Sequence, residues 1–401
     1  MYPLLSGLAV VEASSFVASP TAGLYLAQMG AEVIRIDQVG GGPDFRRWPK
    51  GPSGFSLYWE NLNRAKKSVA LDLSQPEGRA LMQRLAASTG QFITNFPVEG
   101  FLSHETLRAH RADLVTVRVM GQANGGPALD YTGIAAVGIP GMTGPAETGD
   151  APVNHVLPAW DLLTGAYAAF AMLAAIQHRA ATGQGQEVRI PLTDVAIGTV
   201  ANLGMLAETV QEGEDRPRLG NTVYGAFGRD FATRDGERIM LLAITPRQWT
   251  GMVAVLGIAD EVAEIERARG VSFASDEGVR YEHRDLLFPL VEARVRGWDR
   301  AALEAALEAH GCCFGGYATM TQAAHDPALV TQNPIFGRTD NPSGLDYPAP
   351  GPFATLPEQT RGEPRPAPTL GEHTREVLIQ RLGLGDAEVD RLAAQGVVAL
   401  G

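Results

Sequence analysis

The chain has 401 residues, more than one hydrophobic core usually holds, so two domains are expected. Its 45% apolar and 19% charged residues are those of an ordinary globular protein, and a formal net charge of −12 opposes nucleic acid or an anionic membrane as general partner. The longest apolar run, Leu162 to Ile176, is interrupted by Thr164 and Gly165 and is shorter than the roughly 20 residues a bilayer needs.

The first ten residues carry no cationic stretch ahead of a long apolar core, so neither a secretory nor a transit peptide is expected, and the expected location is cytoplasmic. Cys312 and Cys313 are the only cysteines. Adjacent in sequence, they are poorly spaced for a normal disulfide, and they suggest neither a disulfide framework nor a metal site.

In chain order, Leu8 to Glu12 reads as a buried strand, Thr21 to Met29 as a short helix and Glu32 to Ile36 as a second strand. Ser74 and Pro76 mark the start of a helix running to Ala87, followed by the strand Gln91 to Asn95. The helix His104 to His110 and the strand Leu114 to Val119 complete a β-α-β-α-β series. Such alternation predicts a parallel sheet covered by helices on both faces, an α/β fold.

Residues 121–152, rich in Gly and Pro, read as irregular loop. A long helix is expected up to Arg179, then a turn at Thr182 to Gln186, the strand Glu187 to Leu192 and a further helix from Thr193 to Glu208. The character changes near Asp215. Phe231 to Leu242 reads as a hairpin with Asp235-Gly236 at its turn, and alternating helices through Trp298 to His310 suggest a smaller α+β domain. Residues 340–369 are Pro-rich and read as an extended return crossing, after which helices at His373 to Leu382 and Asp386 to Gln395 pack on the first domain.

Candidate chemistry is sparse. Arg46, Arg47 and Lys50, with Arg64, Lys66 and Lys67, concentrate positive charge in an acidic chain. They read either as a solvated face or as a phosphate site, the latter favoured by Gly40-Gly41-Gly42 just after the second strand. No G-x-G-x-x-G follows the first strand, and neither H-E-x-x-H nor G-x-S-x-G occurs. Asp161 stands at the head of the apolar run, after Pro158 and Trp160. From the residues alone a helix N-cap is its favoured role, with nucleophilic carboxylate as the alternative.

A chain-long pattern bears on that choice. Leu8 to Glu12, Gly30 to Asp37, Asn63 to Leu73, Thr94-Asn95-Phe96, Thr182-Gly183-Gln184-Gly185-Gln186 and Pro368 to Thr374 together resemble the class III CoA-transferase family, in family order. The resemblance implies a Rossmann-like large domain, residues 1–210 completed by 340–401, a small α+β domain over 225–335, and an interlocked homodimer. It implies an acyl-CoA thioester as substrate, with no cofactor beyond the CoA it carries.

Asp161 matches the position of the family's catalytic aspartate, so the resemblance reverses the preference between cap and nucleophile. The matched CoA contacts are Val17, Ala18, Arg46, Leu71, Asn95 and Phe96. Gln38 stands where many members carry a phosphate-binding arginine, and Arg46, Arg47 or Lys66 would compensate. Tyr224 to Gly228, including Gly225, is the candidate for the family's closing segment, though it lacks the long glycine run of formyl-CoA transferase, and Arg46, Arg47 and Arg229 are the candidates for a substrate carboxylate.

Family racemases place a histidine where this chain has Leu129-Asp130-Tyr131-Thr132-Gly133; His155, six residues before Asp161, lies outside that motif and reads as structural, with acid binding as its alternative. The stretches Asn154 to Asp161 and Tyr224 to Phe231 look most like members that move CoA between the two carboxyl carbons of one C5 dicarboxylic acid. Intermolecular transfer to another dicarboxylic acid and racemisation or epimerisation at the α-carbon stand as the alternatives.

Overall fold

A computed structural model describes residues 1–401. The chain forms two compact units. The first comprises Met1–Val137, His155–Glu208 and Pro327–Gly401, the second Gly138–Asn154 and Thr209–Asp326.

The first unit is built on a sheet whose parallel strands are β1 (Ala9–Ala13), β2 (Glu32–Gln38), β3 (Lys67–Leu71), β4 (Gln91–Thr94), β5 (Val115–Met120) and β6 (Glu187–Pro191). Their spatial order is β3-β2-β1-β4-β5-β6, and the short C-terminal strand Val398–Ala399 pairs antiparallel with β3. This is the Rossmann-like order expected for the large domain, and its direction reverses between β1 and β4.

The central strands are buried over most of their length because both faces are covered. On one face Leu81, Met82 and Leu85 of the helix Pro76–Thr89 pack with Val377, Leu378, Val389 and Leu392 of the last two helices. On the other, Ala18, Ala22 and Leu26 of the helix Ala18–Gln28 meet Ala168, Met172 and Ala175 of the long helix Ala159–Thr182.

Those two helices approach closely because Gly165 carries no side chain. A Cβ there would lie 2.6 Å from the Ala18 carbonyl oxygen and 2.6 Å from Thr21 Cβ. The long helix has 24 residues and holds an 18-residue stretch of mean hydropathy 1.5, so it is longer than the apolar run suggested and could span a bilayer by length and composition alone. Its small-residue face is instead packed into the core of the first unit, while Tyr167 and Phe170 stay exposed.

The second unit is organised on an antiparallel sheet of β7 (Phe227–Ala232), β8 (Arg238–Ala243) and β9 (Cys313–Gly316). The β7-β8 hairpin is the expected one, its turn closed by Thr233 N–H donating to Glu237 O at 3.0 Å, with Gly236 at φ +81°. Phe227, Phe231, Trp249 and Phe288 form its aromatic core through edge-on contacts.

Three local expectations change. Residues 121–152 are not wholly irregular, since they contain the helices Asp130–Ala136 and Ile139–Met142. The first begins where Thr132 Oγ1 accepts the Leu129 N–H at 2.9 Å. The helix expected over Thr193 to Glu208 is two, Leu192–Asn202 and Met205–Glu212, because Gly204 adopts φ +78° between them. Strand β3 escapes a reading by hydrophobic pattern because it opens on Lys67 and Ser68.

Candidate active site at the start of the long helix

The long helix runs back along the sheet before feeding β6, so its N-terminus lies at the carboxyl edge of the strands, beside the β1 loop. Its first residues are Ala159, Trp160 and Asp161, with Pro158 at the cap position. Asp161 is therefore not the N-cap. That job falls to Asp130, whose Oδ2 accepts the N–H of Trp160 at 2.7 Å and of Asp161 at 3.0 Å. Asp130 is 1% exposed, and its Oδ1 is buried without a partner.

Asp161 itself is part-buried and has no side-chain hydrogen bond within the helix start. Burial pushes its carboxyl up to about 7, the Asp130 carboxylate pushes the same way, and the Arg47 guanidinium pulls back. Such a shift in a cleft makes Asp161 a candidate for chemistry.

Beside it lies a cavity of about 520 Å³, lined by Val17, Leu57, Tyr58, Pro158, Leu162 and Tyr347 among others. The walls are largely apolar, and the volume suits a small ligand. The Tyr58 hydroxyl is buried without a partner and titrates above its ordinary range, raised first by burial, while Arg47 pulls it down and Asp161 pushes it up. Trp160 Nε1 and Thr164 Oγ1 are buried and unpaired on the same helix.

Arg47 is held by aromatic rings rather than by an acid. Its guanidinium stacks 5.3 Å from the Phe16 ring centroid and 4.7 Å from that of Tyr58. Phe16 adopts φ +69°, an unusual conformation for a large residue, and is fixed by its N–H donating to Asp44 Oδ2 at 2.9 Å. Asp44 is anchored in turn by Arg35, which also pairs with Glu12 at 2.9 Å and Asp37 at 2.8 Å. A buried ion network beneath the sheet edge thus sets the ring on which Arg47 rests.

The same network corrects one expectation. Lys66 is 3% exposed, and its ammonium donates to Glu12, Asn63 and the Pro20 carbonyl at 2.8–2.9 Å, so it has no donor left for a phosphate. Burial lowers its pKa to about 8. Leu71 is likewise fully buried at the end of β3, and its side chain belongs to the core. Arg229 is committed to Glu292 at 2.9 Å and stacks on Phe231 and Phe288 inside the second unit, which removes it from the candidates for a substrate carboxylate.

Asn95 uses both ends of its amide on Ser15, accepting the N–H at 3.1 Å and donating to the carbonyl at 2.8 Å, and so ties the β1 and β4 loops together. Phe96 follows it on a loop held by the buried Arg118, whose guanidinium donates to the carbonyls of Phe96, Pro97 and Leu102 at 2.7–2.8 Å. Val17 lines the cavity, Ala18 opens the first helix, and Arg46 is exposed. In the second unit Tyr224 is 42% exposed and Gly225 has φ +78°, but Phe227 and Gly228 are already paired in β7. Any closing segment there is confined to Tyr224–Ala226. His155 Nδ1 is buried without a partner.

Sequence reading missed Asp130 as a helix cap and Tyr58 altogether. Asp130 lies within a segment the racemase comparison had marked, but its acceptor role depends on a contact across about 30 positions.

An α/β fold with a ligand cavity at the carboxyl edge of a Rossmann-like sheet and a perturbed carboxyl beside it defines an enzyme site. The family model CoA-transferase family III matches residues 5–374, and the chain belongs to that family. It is 43% identical over 405 residues to 2-methylfumaryl-CoA isomerase of Chloroflexus aurantiacus, covering 100% of this chain and 98% of the relative. Succinyl-CoA–D-citramalate CoA-transferase of the same organism is 28% identical, with 98% of each chain covered. Among solved structures, a CAIB/BAIF family protein from Brucella suis superimposes with a TM-score of 0.76 at 27% identity, covering 94% of this chain and 98% of that one.

Proposed function

We propose that this enzyme is an intramolecular CoA transferase, moving CoA from carbon 1 to carbon 4 of 2-methylfumarate (mesaconate), with Asp161 as the covalent carrier. The observation that supports it most is the placement of a strongly perturbed carboxyl, Asp161, near an arginine, Arg47, that no protein carboxylate engages, in a chain matching the isomerase end to end.

In the first step an Asp161 oxygen attacks the thioester carbonyl. The carbon–sulfur bond breaks, leaving a mixed anhydride and CoA thiolate. The thiolate then attacks the aspartyl carbonyl and displaces the free dicarboxylate, so that the enzyme carries an aspartyl-CoA thioester. The acid's other carboxylate attacks that thioester and expels the thiolate again. The thiolate closes the cycle at carbon 4 and returns the Asp161 carboxylate. No proton or water is consumed.

The free acid has to exchange one carboxylate for the other at Asp161 without leaving. Arg47 is the group proposed to hold whichever carboxylate is idle, because a guanidinium pre-oriented on two rings binds a carboxylate with little further ordering. The cavity wall is largely apolar, and water has to be kept from the anhydride, which it would hydrolyse. The acceleration comes chiefly from positioning, for which effective molarities of about 10⁵–10⁸ M are attainable.

Racemisation requires a second base facing the α-carbon. The stretch Leu129 to Gly133, where family racemases carry a histidine, holds none, which favours transfer. The homodimer belongs to this proposal as well, supported by the exposed apolar side chains of Leu163, Tyr167, Phe170 and Leu173 along the long helix. The test is to convert 2-methylfumaryl-CoA in the presence of isotopically labelled free mesaconate. The product should stay unlabelled, whereas rapid uptake of label would show ordinary intermolecular transfer.

A further inference from the structure

The start of a helix is a site of positive potential, and a carboxylate there is normally stabilised by the free N–H groups. In this helix the place is already taken. Asp130 Oδ2 accepts the N–H of Trp160 and the N–H of Asp161 itself, so the Asp161 carboxyl sits in the first turn without those donors. It faces a second acid whose Oδ1 is buried and unpaired, a costly arrangement that packing alone does not require.

We propose that Asp130 is a positioning residue for the nucleophile: it fixes the start of the long helix through two backbone N–H groups, takes up the donors that would otherwise serve Asp161, and sets a second acid beside it. This rests on the reading of Asp161 as the covalent carrier. The groups that face Asp161 are Asp130 from the helix Asp130–Ala136, Arg47 from the loop after β2, and Tyr58 from the helix Leu57–Leu62. Of these, Asp130 acts in the same direction as burial, and Arg47 opposes it.

The arrangement balances two demands. A carboxylate made more basic attacks a thioester faster, yet it must be ionised at working pH. Arg47 supplies the opposing charge that keeps Asp161 ionisable near neutrality.

The test uses Asp130→Asn, which keeps an oxygen to accept both N–H groups and removes the charge, with Asp130→Ser as a second uncharged cap and Asp130→Glu as the conservative control. The protein is labelled with ¹³C at the aspartate carboxyl, and the Asp161 signal is identified by its loss in Asp161→Asn. The wild-type signal should titrate near pH 7. In Asp130→Asn and Asp130→Ser the titration should fall by about one pH unit or more, with the acidic limb of kcat/KM moving alongside and the melting temperature nearly kept.

Asp130→Glu should restore the high titration. An Asp161 titration that stays in place in both uncharged variants overturns the proposal. Should 2-methylfumaryl-CoA prove not to be the substrate, the kinetic limb is lost but the carboxyl titration still decides the role of Asp130.

Discussion

At the scale of single residues, Asp161 and Arg47 make opposite predictions. The folded state holds the Asp161 carboxyl near 7, above the ordinary 3.8, so between those values the folded protein binds the proton that the unfolded chain has lost. Stability contributed by this group is therefore fully present at low pH and falls as pH rises through 7. Asp161→Asn should abolish turnover yet be more stable than wild type at pH 8, on the order of 2 kcal/mol after discounting for partial exposure, with the gain fading toward pH 4. Urea unfolding at the two pH values measures it, and an equal gain at both would contradict the burial account. Arg47→Met should raise KM for the dicarboxylic thioester by at least about tenfold, the worth of one charge-assisted pair, with a smaller effect on a CoA ester that lacks a second carboxylate. Asp161 was singled out by a chain-long resemblance, whereas the residues around it alone favoured a helix cap. Asp130, Tyr58 and the sequestered Lys66 could not be found that way, since their roles arise from contacts between elements 30 to 54 positions apart or from a cavity wall.

At the scale of elements, the decisive contact is between the first helix and the long helix, since it brings the β1 loop to the start that bears Asp161. Gly165→Val would place a branched side chain against the Ala18 carbonyl and Thr21. Overpacking of this kind costs about 1–3 kcal/mol, and here it should also displace Val17 from the cavity wall. We expect a lower denaturation midpoint together with a fall in kcat/KM larger than the stability loss explains, whereas unchanged kinetics would show that the contact does not position the site. Most of the β-α alternation was legible because Val, Ile and Leu cluster at strand spacing and Pro76 marks a helix start. The missed elements have local causes that hydropathy does not register: a basic opening to β3, a Thr132 side chain closing the turn before Asp130–Ala136, and a left-handed Gly204 dividing one expected helix into two.

At the scale of the whole molecule, the long helix shows why composition alone is ambiguous. It is apolar on two sides, one buried in the first unit and one bearing Tyr167 at 52% and Phe170 at 64% exposure. A second copy of the chain is the proposed cover, and Tyr167→Glu combined with Phe170→Glu should shift the mass in light scattering from dimer toward monomer or leave the chain insoluble. A wild-type mass of one chain would contradict the dimer. The large sheet was legible from β-α alternation, and the C-terminal return to the first unit from the Pro-rich crossing over 340–369, although the apolar partners of its last two helices lie some 300 residues earlier. The proposal common to these predictions is that Asp161 is the carrier. The most direct measurement is therefore rapid acid quenching of the enzyme during turnover of 2-methylfumaryl-CoA, with mass spectrometry of the peptide that contains Asp161. The account predicts CoA in thioester linkage to Asp161 and none in Asp161→Asn, while turnover with CoA on a different residue, or no adduct at any time during the reaction, would contradict it.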